Sequence, residues 1–362
     1  MRRWLLCSAF ALLVAGLLAV ASLNWKYAGF RDEAFVDIPR GAGTPLMARL
    51  LEQAGVIRFR WQFWLARALK PRAKLQAGEY RFREPASVWQ VFGRLARGEV
   101  FYYELRVPEG SNIFDIAAAL EASDLMPAEE FLKAARDPAL IRDLAPEAPS
   151  LEGYLFPDTY RLSRHASAVD VCRLMTNRFR QAWAYLGAEG DVHRTVTLAS
   201  LIEKETARAE ERPLIASVFL NRLRLGMPLQ CDPTAIYAAL LEDRYRGTLY
   251  RSDLESRQRY NTYQHPGLPP GPIANPGLDS LKAALQPAQS EYIYFVALPD
   301  GSGAHKFSKQ LAAHERAVAR YRRGRNQNAG QKTTDRVVGA GPSGAHQRSP
   351  LQGPARKSGA RL

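Results

Sequence analysis

Two stretches of this chain resemble each other at an offset of 69 residues. The first, "VDIPRGAGTPLMARLLEQAGVI", begins at Val36, and the second, "LRVPEGSNIFDIAAALEASDLM", begins at Leu105. Pro39 matches Pro108, Gly41 matches Gly110, Ala48 matches Ala117 and Leu51 matches Leu120. Each reads as a short strand, a Pro-x-Gly turn and an amphipathic helix. A second helix follows in each copy, "RWQFWLARAL" from Arg60 and "PAEEFLKAARD" from Pro127. Each copy then returns through a segment expected as a strand, "AGEYRF" at 77–82 and "LEGYLF" at 151–156. A strand, two helices and a strand predict a small two-layer module. Two copies predict a duplicated one, so the fold class is expected to be α+β.

The N-terminus adds a second constraint. Arg2 and Arg3 precede "WLLCSAFALLVAGLLAVASL", Trp4 to Leu23, which carries no charge. About twenty apolar residues at 1.5 Å rise span a hydrocarbon core. The flanking arginines would keep the N-terminus cytoplasmic and send the body across the membrane. Ala19-Val20-Ala21 also fits a signal-peptidase site, but a signal peptide's apolar region is usually shorter, so a retained single-pass anchor is expected.

The formal charge of +14 suggests nucleic acid until it is located. From Arg316 onward there are eleven Lys or Arg against the single acid Asp335, and Arg2 and Arg3 sit beside the apolar run, leaving residues 4–315 at only +2. No basic cleft is supported, and no nucleic-acid partner is expected. Cys7, Cys172 and Cys231 have no CxxC spacing, and the six histidines form no HExxH arrangement. No metal and no cofactor are expected.

From about Ala168 the chain turns helical. "AVDVCRLMTNRFRQAWAYLG" has near-3.6 apolar spacing and closes at Gly187. "RPLIASVFLNRLRLG" begins with Pro213 and stops at Gly226, and "CDPTAIYAALL" offers Asp232 as a cap before Pro233. "YNTYQHPGLPPGPIANPG", 260–277, is too rich in proline and glycine for regular structure and is expected as a stiff ordered loop. A short helix "NPGLDSLKAALQP", a strand "EYIYFVAL" and a strand-like "HKFS" follow. Beyond Arg325 the composition predicts disorder.

Within this half, "LASLIEKETARAE" puts two acids, Glu203 and Glu205, at the end of an apolar helical run. On a helical wheel Glu203 shares its face with Ala199, Ser200, Thr206 and Ala207, all small, which would leave a recess above it. Glu205 shares its face with Leu198, Leu201 and Ile202, so if buried it needs a partner such as Arg208 or Arg212. A carboxyl in partly apolar surroundings holds its proton more tightly and serves as a general acid near neutrality. On this reading Glu203 is the candidate acid. Aromatics and amides of the stiff loop are candidates for lining a sugar site, because rings stack on sugar faces and amides bond hydroxyls.

"LASLIEKETARAEERPLIASVFLNRLRLGMPLQCDPTAIYA", "YNTYQHPGLPPGPIANPGLDSLKAALQP", "YIYFVA", "HKFS" and "LEGYLFPDTY" together resemble the membrane-anchored endolytic murein transglycosylases, the YceG-like family. The resemblance covers roughly residues 35–318 and includes the N-terminal anchor. It implies an inner-membrane enzyme with a periplasmic catalytic domain that cuts nascent glycan strands of peptidoglycan; the anchor itself makes peptidoglycan synthases of the same membrane the expected partners. It implies a LysM-like module at the first repeat and places the catalytic acid on the first glutamate of "EKET", Glu203. Gln230, Asn261 and Tyr263 are the residues expected to orient the sugar. "GAHKFS" and "AAHERAV" depart from the family pattern around His305 and His314. The expected organisation is a stub and anchor over 1–30, a LysM-like module over 31–100, a second strand-helix-strand module over 101–165, a catalytic domain over 166–322 and a basic tail over 323–362.

A glycosidase ordinarily needs two carboxylates. The transglycosylase implied by the resemblance needs one, because its nucleophile is the substrate's own C6 hydroxyl. The rival readings are a hydrolase that adds Asp232 or Glu152 as second carboxylate, and a non-enzymatic glycan-binding scaffold.

Overall fold

The computed structural model describes residues 2–338. The two expected modules form, each closed by a two-stranded antiparallel sheet. In the first, β1 (Ala34–Ile38) leads into α2 (Thr44–Gln53) and α3 (Arg60–Leu69) and pairs with β2 (Gly78–Phe82). In the second, β3 (Tyr103–Arg106) leads into α5 (Ile113–Ala122) and α6 (Ala128–Ala135) and pairs with β4 (Thr159–Leu162). Val36 faces Tyr80 in one sheet and Leu105 faces Tyr160 in the other. All four are buried. A two-stranded ribbon is marginal alone, so each sheet depends on the helices that cover it.

Two details of these modules depart from expectation. The segment 151–156 is a buried turn rather than a strand, and pairing waits until Thr159. Gly153 sits there at φ +88°, and a Cβ would stand 2.4 Å from Pro272 Cγ, so the chain must turn where a strand was expected. An additional helix, α4 (Val88–Arg97), closes the first module. Its start is a Ser87–Gln90 capping box and its end is Gly98 at φ 67°, both legible in "SVWQVFGRLARG".

The remaining helices are α7 (Ala168–Leu186), α8 (Val192–Glu205), α9 (Arg212–Arg224), α10 (Asp232–Leu241), α11 (Arg251–Leu254) and α12 (Leu278–Leu285). A hairpin of β5 (Tyr294–Ala297) and β6 (His305–Ser308) precedes α13 (Leu311–Val338). The helix α13 runs past Arg325, where no regular structure was expected; 339–362 of the expected tail lie outside the described residues. Asp232 does not cap α10. Cys231 holds the N-cap position without a side-chain cap, and Asp232 turns to Tyr263.

Three apolar cores result: one in the first module, one uniting the second module with α7, and one around α8, α9 and α10. Helix α8 is shared. Val196 and Ala199 belong to the second core, whereas Leu198, Leu201 and Ile202 belong to the third.

Helix α1 (Arg2–Ser22) precedes all of this. Among the described residues no helix is long and apolar enough to cross a membrane. Trp4, Phe10 and Leu12 of α1 are nevertheless 81, 68 and 74% exposed, and its anchorage to the body lies at its end, where Ser22 meets Gln62 and Leu23 is fully buried.

Candidate active site

The site is set by where α8 stops. Asp191 starts the helix by accepting the Arg194 N–H at 2.9 Å. Glu205 is its last residue, because Thr206 turns extended (φ −146°, ψ 137°) and buries its side chain, whose Oγ1 accepts the Arg208 N–H. The face assumed to run on through Thr206 and Ala207 therefore does not exist. The two acids of "EKET" enter different surroundings.

Glu203 is enclosed. Its Oε1 accepts from Arg212 Nη2 at 3.0 Å, and its Oε2 accepts from the Gly277 backbone N–H at 3.0 Å. A Cβ on Gly110 would lie 3.5 Å from Glu203 Cγ, so the turn after β3 presses against it. Arg212 also faces Glu109 at 3.7 Å and Asp279 at 3.4 Å. The recess expected over the small residues is filled: Ala199 and Ser200 are fully buried, and Ser200 Oγ accepts the Ile273 N–H from the stiff loop. Glu203 thus stands in an ion-pair cluster joining α8, α9 and the start of α12, with both oxygens engaged.

Glu205 lines a cavity of about 340 Å³. Phe219 of α9 and Phe295 of β5 meet edge to face beside it, with ring centroids 6.1 Å apart. Gln230, Asp232 and Tyr263 line the cavity as well. Burial raises the Glu205 pKa and the nearby Asp232 adds to the rise, while the Cys231 thiol's hydrogen bond and the charges of His305 and Arg222 oppose it. The negative end of α8, where this residue sits, also disfavours a carboxylate. Neither Arg208 nor Arg212 pairs with it; they hold Glu210 and Glu203 instead.

Gln230 and Tyr263 were expected at the site and both line this cavity. Gln230 has φ 52°, an uncommon conformation for a side chain of this kind. The strain is of the size, about 1–3 kcal/mol, found where structure is held for function. Its backbone N–H donates to Thr262 O, fixing the turn. Tyr263 donates its hydroxyl to Asp232 Oδ1, and burial pushes its pKa up. Asn261, also expected to orient sugar, does not reach the cavity. It is fully buried; Nδ2 donates to the carbonyls of Asp253, Leu254 and Ser256, and Oδ1 accepts the Tyr263 N–H. Its work is to shape the loop that presents Tyr263.

Phe219 and Arg222 line the cavity without having been singled out in the sequence, and His314 lines it having been named there without a role. Arg222 donates to the carbonyls of Ile293 and Leu229, and His314 stacks on Tyr294 with ring centroids 4.9 Å apart. Burial and the neighbouring Arg222 lower the His314 pKa, and the neighbouring Glu315 opposes this. His305 is held by Glu211, which accepts its N–H and faces its Nδ1 at 2.7 Å. The spacing of α9 puts Phe219 and Arg222 on one face, the only sequence signal that could have found them. Among the described residues no group of acids, histidines and cysteines could hold a metal ion.

The chain is similar to proteins of known type. A Bacillus subtilis (strain 168) protein named endolytic murein transglycosylase is 33% identical over 313 residues, covering 81% of this chain and 86% of the relative. A Streptococcus pneumoniae serotype 2 (strain D39) protein of the same name is 29% identical over 325 residues; they cover 79% of this chain, which spans 58% of that longer relative. The crystal structure of a yceG-like protein from Listeria monocytogenes superposes with a TM-score of 0.51 at 31% identity, covering 79% of this chain and 99% of the other. The model of the YceG-like family matches residues 36–320, from β1 into α13, and the chain belongs to that family.

Proposed function

We propose that this chain is an endolytic murein transglycosylase, a lyase acting within peptidoglycan strands, and that Glu205 is its single acid and base. The observation that carries the assignment to Glu205 is its position: a carboxyl held toward its protonated form, at a helix end, in the cavity that also gathers Gln230 and Tyr263. The names of the Bacillus and Streptococcus relatives support the reaction class.

Glu205 donates its proton to the glycosidic oxygen between N-acetylmuramyl and N-acetylglucosaminyl units as the C1–O bond breaks. Positive charge develops at C1 and the ring oxygen. The muramyl C6 hydroxyl then attacks C1, a new C1–O6 bond closes the 1,6-anhydro ring, and the hydroxyl proton returns to Glu205. No water is consumed. Attack within one sugar has a high effective molarity, which is why one carboxyl suffices. The apolar wall of Phe219 and Phe295 keeps the acid poorly solvated, and Gln230 and Tyr263 are proposed to hold the sugar hydroxyls and acetamido groups.

The rival hydrolase needs a second carboxylate. Glu152 is excluded from that role, since it is 1% exposed with both oxygens engaged in the interior. Asp232 does line the cavity, so oxygen from labelled water in the new reducing ends would favour hydrolysis through it.

Anchoring by residues 4–23 in a bacterial inner membrane, with the body in the periplasm, belongs to the same proposal. Its support is the uncharged run and the exposed apolar side chains of α1. That position would put the enzyme beside glycan polymerases of the same membrane. The β1–α2–α3–β2 order supports a LysM-like first module.

Digestion of purified sacculi, read by mass spectrometry, tests the assignment. Glu205→Gln is expected to lower the yield of anhydromuramyl ends by at least about a hundredfold, and Glu203→Gln to retain activity in its folded fraction. Undiminished cleavage by folded Glu205→Gln protein would falsify the assignment.

A further inference from the structure

The exposed side of α3 is unlike the rest of the surface. Phe59, Trp61, Trp64 and Leu69 are 44, 41, 45 and 49% exposed, although Gln62, Phe63 and Ala66 of the same helix are buried. Trp61, Trp64 and Ala68 follow the i, i+3, i+7 spacing of one helix face. Phe59 stacks on Trp61, at 6.4 Å between centroids, and Arg58 lies over Phe59. Residues 58–74 hold six Lys or Arg and no acid. Glu52 neutralises Arg60 alone. Arg58, Lys70, Arg72 and Lys74 are exposed.

The position of this face matters as much as its composition. Gln62 Nε2, on the opposite side of α3, donates to Ser22 Oγ at 3.1 Å at the end of α1. Leu23 is buried in the first module's core, and its carbonyl accepts the Trp89 N–H. The end of the helix with exposed apolar side chains is therefore tied to α3 and to the first module's core. Trp25, 66% exposed, and Lys26 stand at the same junction.

We propose that this face of α3 docks on an anionic phospholipid surface. The inference rests on the membrane attachment of α1 proposed above and goes beyond it. Tryptophans and phenylalanine enter the headgroup–acyl boundary, while the surrounding cations meet lipid phosphates. Attachment at two places, α1 and α3, fixes the tilt of the first module against the membrane, which a lone helix would leave free.

The test uses the full chain with Cys7→Ser, leaving only the buried Cys172 and Cys231, and a bimane label at Ala68→Cys. A matched label at Tyr185→Cys, an exposed position of α7, is the control. Both proteins are reconstituted into phosphatidylcholine vesicles, with or without about one third phosphatidylglycerol, carrying lipids brominated near the headgroup. The label at 68 is expected to be quenched several-fold more than the label at 185. The difference should grow with phosphatidylglycerol, shrink in high salt, and disappear when Arg58, Lys70 and Arg72 are changed to Glu. Equal quenching at both labels in a chain that floats with the vesicles overturns the docking surface alone. Protection of label 68 by soluble glycan fragments, without lipid quenching, overturns it in favour of a sugar-binding face. A chain that does not float overturns the attachment of α1 and the docking with it.

Discussion

Cys231 and Glu205 form the contact on which the pH response of the cavity depends. The thiol donates to the carboxylate and so favours the charged form, against the larger effect of burial. Removing the donor leaves burial less opposed. Cys231→Ala is therefore expected to raise the Glu205 pKa further. Activity needs the protonated acid, so the alkaline limb of kcat/KM should move to higher pH while the acidic side keeps its shape. A pH profile on soluble glycan fragments measures this, and a limb that stays or moves downward would reject Glu205 as the acid. That Glu203 would join an ion-pair cluster while Glu205 lined a cavity was not legible in the sequence. Periodicity treats a helix as endless, and on an endless helix Glu203 lies over Ala199 and Ser200 with Thr206 beside it. The helix ends at Glu205 because Thr206 is held extended, a fact of tertiary packing. Asn261 misled for a similar reason: an amide in a loop looks available until the loop's own carbonyls claim it.

Arg212 joins α8, α9 and α12 through one guanidinium. It begins α9, reaches Glu203 near the end of α8, and meets Asp279 in the first turn of α12 and Glu109 in the turn after β3. Arg212 and Glu203 are 7 and 6% exposed, so that pair loses little to solvent screening, whereas Glu109 and Asp279 are more than half exposed and contribute less. Burial and the neighbouring acids Glu203 and Asp279 raise the Glu109 pKa, with Arg212 the opposing influence. Arg212→Met would leave Glu203 buried without its counter-charge. The expected loss is about 3–5 kcal/mol of unfolding free energy, measured by urea denaturation. A loss below about 1 kcal/mol would show that the cluster is not what holds these helices together. The elements themselves were largely readable. The repeated Pro-x-Gly turns gave both modules their first strands and helices, and Gly187 and Gly226 stand just past the ends of α7 and α9. The failures were local. The strand expected at 151–156 lay too early because its apolar residues, Leu151, Tyr154, Leu155 and Phe156, serve burial in a turn, and apolar content alone does not separate the two.

At the scale of the molecule, Glu152 connects two of the three cores. Its Oε2 accepts the Ile113 N–H at the start of α5, its Oε1 accepts from Asn275 of the stiff loop, and Tyr237 of α10 bonds it from the third core. Asn275 in turn accepts the Leu155 N–H and donates to Ser111 O. No sequence pattern announces such a residue, because the partners lie 39 and 123 positions away. Burial drives the Glu152 pKa up to about 8, against the opposing hydrogen bonds from Ile113 and Tyr237. The folded chain then keeps a proton that the unfolded chain releases at the ordinary glutamate value of 4.5. Between these values the native state binds more protons, so stability falls as pH rises. The contribution is fully present below about pH 4.5, declines by at most about 1.4 kcal/mol per pH unit, and levels off above about pH 8. Glu152→Gln keeps the shape and an amide but has no proton to lose. Subtracting the variant's unfolding free energy from that of the native chain across this range isolates the group from all others that titrate. The difference should favour the native chain most at the acid end and decline toward pH 8. A difference independent of pH would mean that Glu152 is already ionised in the interior, with Asn275 and the Ile113 N–H sufficient to hold the charge.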